Sequence, residues 1–61
     1  MPFFKYPIYV LVEELPVRIE LGEAFAFDVP NGRPYSYSEA MRNGRQVSEE
    51  EWEKLVAELA K

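Results

Sequence analysis

The hydrophobic positions of the chain follow two rhythms, a period of two over its first two thirds and a helical period at its end. From Phe3 to Val12 (FFKYPIYVLV) aromatic and β-branched residues crowd together and Pro7 argues against a helix, so a first strand is predicted over 3–12. Ile8, Val10 and Val12 make one apolar face, while Phe3, Tyr9 and Leu11 give the other an apolar character as well. A strand with one wet face would alternate. This one is therefore either covered twice or meets another chain on its second face.

A turn over Glu13, Glu14, Leu15 and Pro16 leads into 17–21, where Val17, Ile19 and Leu21 alternate with Arg18 and Glu20 as in a half-buried strand. The next strand, over 24–29, points Phe25, Phe27 and Val29 one way and Ala24, Ala26 and Asp28 the other. A two-residue loop at Gly22 and Glu23 would leave Phe25 and Phe27 on the face of Arg18 and Glu20. A three-residue loop or a bulge pairs Leu21 with Phe25 and Ile19 with Phe27, and is preferred because it collects the large apolar residues on one face.

Val29-Pro30-Asn31-Gly32-Arg33 carries strong turn chemistry, with Gly32 as the left-handed residue. It predicts pairing of Phe27 with Tyr35 and of Phe25 with Tyr37, and a short strand over 35–38 that Pro34 places at a sheet edge. Ser38 to Gly44 is either one helical turn or an ordered loop, and the loop is preferred. The last element is a helix over 49–60. Ser48 and Glu51 make a capping box, Val47 is placed to staple against Trp52, and Glu49, Glu50 and Glu51 suit the positive end of the helix dipole. Trp52, Leu55, Val56 and Leu59 form its apolar stripe, and Glu50 with Lys54 an i, i+4 pair. The expected fold is α+β: one small domain in which a three- to four-stranded antiparallel meander packs on a C-terminal helix (β-β-β-β-α).

Composition narrows the chemistry. A chain of 61 residues buries only roughly 60% of its unfolded surface, so its core is small and its room for a ligand pocket limited. It has no cysteine and no histidine. Disulfides, thiolate nucleophiles, imidazole-based triads and the usual zinc and haem ligand sets are therefore excluded. The longest apolar run, Ile8 to Val12, is far too short for a membrane span, and a cytoplasmic, soluble protein is expected. Carboxylates remain as catalytic candidates, but those of the helix read as solvated, and Glu20 and Asp28 beside Arg18 read as a salt-bridged ladder. No enzymatic role, cofactor, metal or small-molecule substrate is expected.

In outline, Val17-Arg-Ile-Glu-Leu21 followed by an aromatic strand, a glycine and Val47-Ser48-Glu-Glu-Glu-Trp52-Glu-Lys-Leu55 resembles the single-stranded-DNA-binding transcriptional coactivators of the positive-cofactor-four type. That resemblance implies subunits paired through their helices, with DNA on the sheet. The family's basic sheet is not matched, since only Arg18 is clearly on a strand here, and no site residue is carried over.

The expected function is a non-catalytic protein-interaction module, self-associating as a homodimer or part of a larger complex, with Phe3, Tyr9 and Leu11 as its interface. The alternative is a single-stranded nucleic-acid-binding dimer that uses the sheet and a phosphate-gripping loop of Arg33, Arg42 and Arg45. Against it, a net charge of -4 repels polyanions. The regular helix start and turn chemistry would also suit a designed scaffold with no biological activity.

Overall fold

A strand apolar on both faces needs two covers, and the computed structural model, which describes residues 6–60, provides one helix for each. The elements are β1 (Ile8–Val12), β2 (Leu15–Glu20), β3 (Glu23–Ala26), β4 (Arg33–Tyr35), α1 (Tyr37–Asn43), β5 (Arg45–Gln46) and α2 (Glu49–Leu59). The strands form one antiparallel sheet in the order β4-β3-β2-β1-β5. The α+β class and the C-terminal helix packed on the sheet are as expected. Among the described residues the sheet has five strands, however, and a second helix lies against its other face.

One face carries Ile8, Val10, Val12, Val17, Ile19, Ala24 and Ala26, with Leu15 and Tyr35 packed beside them, and is closed by Ala40 of α1. Each Val or Ile fully buried there contributes about 1.5–3 kcal/mol relative to its exposed state. The opposite face carries Tyr9, Leu11, Pro16, Arg18 and Phe25, and α2 lies across the β1–β2 part of it.

Helix α1 replaces the expected loop. Ser36 caps it, its Oγ accepting from the Glu39 N–H at 3.2 Å, and the Gly44 N–H closes the far end on the Ala40 carbonyl at 2.9 Å. Ser36-Tyr-Ser-Glu39 is thus the same capping motif as Ser48-Glu-Glu-Glu51, where Ser48 Oγ accepts from the Glu51 N–H at 3.1 Å. Because Tyr37 belongs to the helix, β4 ends at Tyr35. The expected Phe27–Tyr35 and Phe25–Tyr37 pairs give way to Ala24–Tyr35, Phe25–Pro34 and Ala26–Arg33.

The first hairpin is tighter than expected. Val12 pairs with Leu15, leaving Glu13 (φ 51°) and Glu14 (φ 69°) as a two-residue turn with both residues left-handed. Residues flanking such a turn exchange hydrogen bonds, so Leu11 and Pro16 form a non-bonded pair and the missing Pro16 donor is not needed by β1. On its other side Pro16 gives a carbonyl to the Phe27 N–H at 2.9 Å but can return no N–H, and β3 stops one residue earlier, at Ala26.

The second hairpin turns at Leu21 and Gly22, with Gly22 at φ 77°, and pairs Ile19 with Ala24 and Arg18 with Phe25. The preferred register is thereby corrected: Phe25 shares a face with Arg18, and Leu21 is 78% exposed in the turn. With a helix on each face, collecting every large apolar residue on one side brings no gain.

Gly32 does take the left-handed conformation, at φ 78°, with its N–H on the Val29 carbonyl at 3.1 Å. By alternation from the Glu20–Glu23 pair, Phe25 bonds toward β2, so the Pro34 nitrogen points away from the sheet. β4 is the edge strand that Pro34 suggested.

Candidate interaction surface

Trp52 fixes α2 on the sheet. Its indole Nε1–H donates to the Val17 carbonyl at 3.1 Å in a buried contact, and its ring packs on Tyr9 (4.8 Å between ring centres) and edge-on to Phe27 (5.1 Å). Such tilted aromatic pairs are favoured by the ring quadrupoles. Burial raises the Tyr9 hydroxyl above its ordinary pKa, and the Glu49 carboxylate raises it further while Arg18 opposes them.

The three residues expected at an interface are placed differently from one another. Phe3 lies outside the described residues. Tyr9 is half-buried under Trp52, and Leu11, only 5% exposed, lies beneath α2. The expectation that the outer face of β1 is left open is corrected here. A second helix was needed to cover one face and free α2 for the other, and α1 is that helix.

The apolar stripe of α2 is not wholly consumed by the sheet. Trp52 is buried, Leu55 and Val56 are half-buried, and Leu59 is 48% exposed. Two open clefts flank the C-terminal half of the helix. On one side a cleft of about 170 Å³ is lined by Phe27, Val29, Pro30, Val56 and Leu59, and Val29 on its rim is 42% exposed. On the other, a cleft of about 210 Å³ has Leu11 and Leu55 in its lining together with Glu14, Glu51, Lys54 and Glu58. The expected Glu50–Lys54 ion pair does not form; the ion pairs among the described residues are Arg18–Glu20 and Arg33–Asp28. A third cleft, of about 160 Å³, opens beside α1 between Met41, Gly44 and Gln46 over Val10 and Ile19.

The arginines expected to grip phosphate are not brought together. Arg33 is on β4 and Arg45 on β5, at opposite edges of the sheet, four strand spacings or about 19 Å apart. Arg33 is also engaged: its Nε and Nη2 donate to the two Asp28 carboxylate oxygens at 2.8 and 2.9 Å. This bidentate contact holds the Asp28 carboxyl below its usual range. Arg42 is exposed in the last turn of α1.

Arg18, by contrast, is built into the α2 face. Its guanidinium stands 5.0 Å from the Phe27 ring centre and 5.8 Å from that of Phe25, with Nε facing Glu20 Oε2 at 3.2 Å. The cation–π contact explains how Phe25 shares a face with a charge. No helix among the described residues is long and apolar enough to cross a membrane.

Sequence reasoning found α2 and its stripe but missed the clefts beside it. The available signal was the stripe itself, in which Leu55 and Val56 diverge around the helix so that a sheet beneath Trp52 cannot cover both. Comparison of the chain with family models, curated proteins and solved structures finds no match.

Proposed function

We propose that this protein is a small non-catalytic interaction module that binds a segment of another protein across the C-terminal half of α2. The observation that carries this reading is the apolar cleft between α2 and the loop before β4, floored by Phe27 and Val56 and rimmed by half-exposed Val29 and Leu59. Apolar side chains left open beside a preformed concavity are what an interface core needs, and burying them favours association. A chain without histidine or cysteine lacks the commonest general base and the thiol nucleophile, which agrees with binding rather than catalysis.

The test is to pan a random peptide library on the immobilised protein and to map the enriched peptides by amide chemical shifts. They are expected to perturb Val29, Val56 and Leu59, and to lose binding on Leu59→Asp while that variant keeps its melting temperature. Enriched peptides that map to another surface, or that bind the folded Leu59→Asp protein unchanged, would refute the reading.

A further inference from the structure

We infer that the segment received beside α2 is basic and amphipathic, with the long stem of an arginine or lysine lying on Leu55, above the buried Leu11, and its cationic head among Glu14, Glu51 and Glu58. This rests on the interaction reading above and names the chemistry of the partner. The cleft that holds these residues is lined by three carboxylates and one ammonium, Lys54, a local charge of -2. None of the four is in an ion pair with another described residue, so among the described residues no cation competes with an incoming one for the carboxylates.

Apolar floor and charged rim together select a particular kind of side chain. A simple cation would gain nothing from Leu55, and an aliphatic side chain would leave the carboxylates unanswered. Lysine and arginine do both, because the methylene stem can lie on apolar surface while the head stays with its charged partners. On the far side of α2 the Val29–Leu59 cleft has one charged residue among its described lining, Asp28, and that acid is held by Arg33. The occupant therefore presents a cationic and an apolar side chain separated by about 10 Å, the width of the helix it straddles.

A second copy of this chain fits poorly. A two-fold interface sets the same patch against itself, and here that would oppose Glu14, Glu51 and Glu58 with their own counterparts. Facing like charges weaken and misdirect association.

The experiment uses the full chain and two short amphipathic peptides, one of leucine, alanine and arginine and the other identical except for glutamine in place of arginine. The arginine peptide is expected to bind about tenfold more tightly, as about 1.4 kcal/mol of charge-assisted contact would give, and to shift the amides of Leu11, Glu14, Leu55 and Glu58. Its advantage should shrink as salt rises and vanish in the triple variant Glu14→Gln, Glu51→Gln, Glu58→Gln, checked for folding by circular dichroism. Equal binding of both peptides at this surface would overturn the basic partner and leave the interaction reading standing. Shifts confined to Val29, Val56 and Leu59 would overturn the basic partner alone, and if neither peptide perturbs either set of amides, both readings fail. Shifts from the arginine peptide spread equally over Glu49, Glu50 and Glu53 would mean unselective attraction to an acidic helix, and would also overturn the inference.

Discussion

Replacing Glu13 by Asn and Glu14 by Gly should stabilise the protein. Both glutamates are held at positive φ, 51° and 69°, in the two-residue turn between β1 and β2. This turn favours Asn-Gly, because its twist matches the strands and both positions need left-handed backbone. For an ordinary L-residue that conformation costs roughly 1–2 kcal/mol. Asn relieves part of this at 13 and Gly nearly all of it at 14, while Gly adds back about 0.5–1 kcal/mol through the greater freedom of the unfolded chain. A net gain of about 1 kcal/mol remains. In a domain of this size it should raise the melting temperature by about 4–8 °C. Urea unfolding followed by the fluorescence of Trp52, the single tryptophan, gives the free energy directly. The companion variant Glu13→Gln, Glu14→Gln removes both charges but keeps the backbone strain, so it should recover little. An equal gain from the glutamine pair would show that charge repulsion dominates, and no gain from Asn-Gly would show that the left-handed pair carries no strain; either result refutes the reasoning.

Three further outcomes are expected. Gly32→Val should destabilise by about 1–3 kcal/mol, because φ is 78° and a Cβ there would stand 2.9 Å from Cε2 and Cζ of the Phe27 ring; an unchanged urea midpoint would contradict this. Gly44→Ala should cost a similar amount for a different reason. The backbone there is ordinary, but the added methyl would collide with the Ala40 carbonyl and stand 2.9 Å from Val10 Cγ2, so the loss is to be read in the melting temperature. Tyr9 titrates above its usual pKa when folded, so its contribution to stability is complete below about pH 10 and is lost as pH rises through the raised value. Tyr9→Phe should flatten that alkaline decline in pH-dependent unfolding.

Local chemistry made α2 legible, since Ser48, Glu51 and the Trp52–Leu59 stripe each act within one or two turns. It was equally present at Ser36 and Glu39, yet α1 buries only Ala40 among its seven residues, and Tyr35 and Tyr37 mimic the period of a strand. β5, two residues long, has no pattern to read. The β2–β3 register was misread for a non-local reason: placing Phe25 and Phe27 with Ile19 assumes one buried face, and that assumption fails once α1 exists. The two-sided β1 already pointed to a double cover. The clefts depend on the angle at which α2 crosses the sheet, and no sequence period encodes that angle.

Among the described residues, neither border of the sheet invites another strand. β4 is three residues long and turns the nitrogen of Pro34 outward, so an added chain would find no donor at the middle of that edge, and β5 offers two residues in all. The most amyloid-like segment, Ile8 to Val12, is β-rich and uncharged, but it is paired on both sides by β2 and β5. The folded protein is thus built against fibre growth at the hydrogen-bonding level, and any concentration-dependent precipitation should begin from molecules in which β5 has peeled away from β1.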